Sequence, residues 1–96
     1  MKGSDQPLST PDARALIRQI LETGTVTWSS HALREMENDD LQTLDCTNVL
    51  RGGVVHPPDL ERGTWRYRVS TGKICVVVAL RSETEIVVVT AWRSAQ

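Results

Sequence analysis

Two histidines, a few arginines and a single tyrosine are the side chains of this 96-residue chain best suited to moving protons or holding charge. His31 and Arg34 are three positions apart, which on a helix puts imidazole and guanidinium on one face. Such a pair suits acid–base work beside a phosphate, because an imidazole exchanges protons near neutral pH and a planar guanidinium grips phosphate oxygens in pairs. An exposed histidine in a first helical turn, with a solvated arginine near Glu35 and Glu37, would look the same. Arg66 and Arg68 alternate with Trp65, Tyr67 and Val69, so the arginines share one strand face and the apolar residues the other. That cationic row fits a sugar–phosphate backbone, though outward-facing charges on a one-sided sheet give the same pattern.

Trp92 is a candidate base-stacking platform near the end of the last strand, with Thr90 on the same face as Val88; packing in the core or at its rim is the plainer role. Lys73 and Arg93 are lesser phosphate contacts, and otherwise solvated charges. His56, just before Pro57-Pro58, reads as a loop residue, and helix capping accounts for Asp39. Cys46 and Cys75 have no CxxC spacing and lie in apolar stretches, so both read as small buried hydrophobes. The two histidines lack HxxH or Cys/His company, so neither a metal nor another cofactor is expected.

The elements that must position these groups follow from periodicity. Residues 1–8 read as a disordered leader and residues 9–96 as one domain, a size that supports a single core. Ser9-Thr10-Pro11-Asp12 starts a helix whose stripe of Ala13, Leu16, Ile17, Ile20 and Leu21 ends at Gly24. Thr25–Trp28 is a short strand candidate, and Ser29 or Ser30 caps a second helix through Met36. Asp39 and Gln42 open a third helix that ends at Gly52-Gly53. Beyond Gly53 the period becomes two: Val54-Val55, Thr64–Val69, Ile74–Leu80 and Ile86–Trp92 are strands joined by polar turns. Helices first and strands after predict an α+β fold, with two to three helices on a mostly antiparallel sheet of about four strands.

Net charge is −1, which excludes a strongly basic domain. Residues 1–51 carry five Lys/Arg against eight Asp/Glu and residues 52–96 six against four, so any cationic face belongs to the sheet. No opening apolar run marks a signal peptide, and the longest apolar stretch, Ile74–Leu80, is too short for a membrane span, so a cytoplasmic protein is expected.

The order helix, short strand, Ser-x-His-Ala-x-x-Arg-x-Met at Ser29–Met36, further helix, Arg51-Gly52-Gly53-Val54-Val55, Tyr67 in a strand and a closing Val-Val-Val-Thr-Ala-Trp resembles the bacterial domain-of-unknown-function family 4258 over roughly residues 12–93. That family looks related to RelE- and MqsR-like toxins, ribonucleases with a barnase-type fold. The resemblance implies a metal-independent endoribonuclease of a toxin–antitoxin pair, with RNA as substrate and a protein antitoxin as partner. Such cleavage needs a base for the ribose 2′-hydroxyl, an acid for the leaving 5′-oxygen and fixed positive charge on the phosphorus oxygens. His31 would be the base, Arg34 and Arg66 or Arg68 the charge, and Tyr67, which matches a tyrosine of the family, the acid or a positioning group. Arg66, Arg68, Lys73, Thr90, Trp92 and Arg93 would contact RNA. The acidic Glu37–Asp40 segment and the low net charge favour a rival, a non-catalytic protein- or RNA-binding module on the same fold.

Overall fold

The computed structural model describes residues 6–94, so the first five residues of the expected leader lie outside it. Helix α1 (Thr10–Thr23) starts where the Ser9 hydroxyl accepts the Asp12 N–H, carries Pro11 in its first turn, and buries Ala13, Ile17 and Ile20. It stops at Gly24, whose N–H reaches the Ile20 carbonyl at 2.7 Å. A Cβ there would run into the Thr84 carbonyl and lie 2.9 Å from the Ile20 side chain, so close approach of the turn at residues 81–84 requires glycine.

Strand β1 (Thr25–Trp28) leads into α2 (Ser30–Asn38), and α3 (Thr43–Gly52) follows. The third helix starts later than expected. Asp39 closes α2 instead of opening α3, and the Asp45 carboxylate accepts the Gln42 N–H at 2.8 Å to cap α3. Strands β2 (Val54–Val55), β3 (Asp59–Glu61), β4 (Thr64–Ser70), β5 (Ile74–Leu80) and β6 (Glu85–Arg93) complete the chain. Among the described residues the protein is thus α+β, with three helices and a six-stranded sheet in place of the four or so strands expected. Strand β3 left no signature in the sequence, since all three of its residues are exposed. It exists through a hairpin whose two turn residues, Arg62 (φ 53) and Gly63 (φ 79), both take the left-handed conformation that matches strand twist.

The sheet order is β1-β6-β5-β4-β2, with β3 also pairing with β4; only β1–β6 is parallel. One face carries Val55, Tyr67, Val69, Val76, Val78, Ile86, Val88 and Ala91, and these pack with the buried stripes of the helices into a single core. The opposite face carries no helix among the described residues. On it stand Arg66, Arg68 and Ser70 of β4 and Cys75, Val77 and Ala79 of β5.

Candidate nucleic-acid interface

The open face is completed by an irregularity in β6. Strand β5 pairs Val78 with Val88 but Val77 with Thr90, so Val89 is an extra residue, a β-bulge. Because side chains alternate with period two, one extra residue inverts everything beyond it. Thr90 and Trp92 were expected on the face of Val88; the bulge moves them to the opposite, open face, and Ala91 takes the core position opposite Val76. Ser29 anchors the bulge: its hydroxyl donates to the Val89 carbonyl at 3.0 Å, its N–H to that of Val88 at 3.1 Å, and its oxygen accepts the Ala32 N–H at 2.9 Å as the cap of α2.

A cleft of about 320 Å³ results on the open face. Arg66 and Arg68 line one wall, Val77 the floor, Thr90 and Trp92 the other wall, and Asp59, Leu60 and Glu61 the rim. Arg66 donates to Glu61 at 2.7 Å through Nη1, while its buried Nε–H has no acceptor among the described residues. A buried donor without a partner is costly. Arg68 is exposed and has no carboxylate partner among the described residues. Trp92 is 37% exposed, a large apolar surface at the end of the cleft. Cys75 lies under this end, opposite both Ser70 and Trp92, and burial pushes its thiol pKa up against the opposing pull of Arg68.

His56 adjoins the same face, although its sequence setting marked it as a loop. Its N–H donates to the Arg68 carbonyl at 2.9 Å, extending the β2–β4 pairing by one residue, and its Nε2 lies 2.7 Å from Ser70 Oγ. The one available signal was its place two residues beyond Val54, in strand alternation, and Pro57-Pro58 obscured it.

The remaining expected site residues lie elsewhere. His31 and Arg34 are exposed on α2, which packs along β6, and neither lines the cleft. Tyr67 is 2% exposed on the core face, so the sheet separates it from both arginines. Its hydroxyl donates to the Leu8 carbonyl at 2.8 Å, fixing the end of the expected leader, and burial pushes the phenol pKa up. Lys73 sits exposed in the β4–β5 turn. Arg93 is committed to the end of α2: Nε and Nη2 donate to the Asp39 and Asp40 carbonyls at 2.8 and 3.0 Å, and its N–H to the Asp39 carboxylate at 2.8 Å. A cation there satisfies terminal carbonyls and complements the helix dipole.

A larger cavity, about 510 Å³, opens on the helix side, where Leu8, Leu16, Trp65, Tyr67 and Leu80 meet Arg81 and Glu83. Among the described residues no three His, Cys, Asp or Glu side chains gather as metal ligands would, and no helix is long and apolar enough to cross a membrane.

A family model described as "Domain of unknown function (DUF4258)" covers residues 28–93, from the end of β1 to the end of β6, and so contains every residue of the cleft. No curated protein and no solved structure matches the chain.

Proposed function

The chain belongs to the DUF4258 family, and from that premise we propose that it binds single-stranded RNA across the open face of its sheet. The observation that carries this reading is the convergence of Arg66, Arg68, Thr90 and Trp92 on one cleft. Guanidinium groups hold phosphates, and an exposed indole stacks on any base. Fluorescence anisotropy with a labelled oligouridine tests it. Arg68→Ala should weaken binding about tenfold and flatten its salt dependence, and Trp92→Ala should cost about 1–3 kcal/mol of stacking. Tyr67→Phe, altered on the other face, should bind as the parent does. Failure of the unaltered protein to bind at low salt would end the proposal.

A second reading keeps the RNA target and adds toxin-like cleavage with His31 as base and Arg34 as phosphate clamp, in a protein neutralised by an antitoxin. His31 and Arg34 are exposed on α2 and outside the cleft, so this reading puts its chemistry on the helix rather than on the open sheet face. Expression should then arrest growth and His31→Ala should relieve the arrest; normal growth with intact cellular RNA at high expression would remove this reading.

A further inference from the structure

We propose that His56, held by Ser70, is the general base of this interface, and that RNA bound there is cut by attack of a ribose 2′-hydroxyl on the adjacent phosphorus. The inference rests on the RNA-binding reading and adds a reaction and a different base to it.

The argument is one of register. His56 stands opposite Arg68, through the 2.9 Å bond from its N–H. Arg68 stands opposite Val77, and Val77 opposite Thr90. Facing residues of an antiparallel ladder have Cα atoms about 5 Å apart, so imidazole and guanidinium rise from neighbouring strands at one level of the open face. Ser70, Cys75 and Trp92 form the next level. A polynucleotide lying across the strands therefore meets a proton acceptor, a fixed cation and a stacking surface in succession.

Ser70 gives His56 what a base needs beyond proximity, a fixed ring. In the tautomer whose Nε2–H donates to Ser70 Oγ across the 2.7 Å contact, Nδ1 keeps its lone pair, and the same bond survives when the ring takes a second proton. His31 has no such support, because its side chain makes no hydrogen bond among the described residues.

In the reaction the 2′-hydroxyl proton passes to His56 Nδ1 as the 2′-oxygen bonds to phosphorus and the bond from phosphorus to the 5′-oxygen breaks. The leaving 5′-oxygen takes a proton from water, and the resulting hydroxide takes the proton held by the imidazolium. The products are a 2′,3′-cyclic phosphate and a 5′-hydroxyl. Arg68 opposes the charge that grows on the phosphorus oxygens.

The test uses the full chain with end-labelled oligouridine and its all-deoxy counterpart. The parent protein should bind both and cut only the ribose form, leaving a cyclic phosphate end. His56→Ala and His56→Gln should bind within about twofold of the parent yet cut about 100-fold more slowly or worse. Ser70→Ala should lose about tenfold in rate at unchanged affinity, and Ser70→Thr should recover most of it. Binding without cleavage by the parent would overturn the inference and leave the RNA-binding reading standing; absence of binding would overturn both. Cleavage at the parent rate by either His56 variant would overturn it. So would loss of RNA binding by both, which would assign His56 to the fold.

Discussion

Arg66 and Arg68 stand two residues apart on one strand face, yet their neighbours give them different duties. Arg66 is partly neutralised by Glu61, whereas Arg68 keeps its charge unpaired among the described residues. Exposed ion pairs are worth about 0.2–1 kcal/mol, so Glu61→Gln should release Arg66 and tighten RNA binding by about two- to fivefold at low salt. Anisotropy titration of the two proteins side by side measures it, and weaker binding would show that Glu61 orients Arg66 for the ligand. Cys46, fully buried in α3, makes a second residue-level prediction. Its thiol pKa is pushed up from 9.0 to about 11 by burial, helped by the charge of Asp45. Below pH 9 both folded and unfolded thiols are protonated and the group has no effect. As pH rises toward 11 the unfolded chain ionises first and folding loses stability. The melting temperature should therefore fall over this range, and fall less in Cys46→Ala.

At the scale of elements, Ser29 is the joint between a helix and a strand. It caps α2 and holds the carbonyl of the bulged Val89, so Ser29→Ala should lower unfolding free energy by about 1–2 kcal/mol, whereas Ser30→Ala, next in line and exposed, should change little. Denaturant titration distinguishes the two. Helix α1 was legible in the sequence because Ser9, Pro11, the apolar stripe and Gly24 all point the same way. The facing of Arg66 and Arg68 was legible as well, since β4 runs without a bulge. The facing of Thr90 and Trp92 was not, because Val87, Val88 and Val89 are identical in type and nothing in their chemistry says which one is surplus. His56 was hidden for a related reason: its pairing depends on Arg68, a partner twelve residues away, while the adjacent prolines carry the local signal. Asp39 looked like the start of a helix because an acid followed by Gln42 fits that pattern, but the acid is taken by Arg93 from the far end of the chain.

Across the whole molecule, charge is divided unevenly along the chain. Acidic residues outnumber basic ones in the helical half and the reverse holds in the sheet half, while the net charge is only −1. In the cleft itself Asp59 and Glu61 offset Arg66 and Arg68, so the pull on a polyanion is local to the unpaired Arg68 rather than spread over a basic face. Two arginine–phosphate contacts to a single strand imply a shallow salt dependence, a loss of roughly tenfold for a fourfold rise in monovalent salt. Measuring affinity across that range checks it: a flat response would mean the arginines do not touch phosphate, and a much steeper one would require cations beyond the cleft.

The Val89 bulge also bears on how this interface tolerates change over generations. Substitutions within residues 86–92 alter one contact at a time, and deletion of Val89 would leave a regular strand in which Thr90 still faces Val77, Ala91 still faces Val76 and the indole stays on the open side. The surplus residue is slack in the strand, and what its loss would cost is the Ser29 tether to its carbonyl rather than the facing of the residues beyond it.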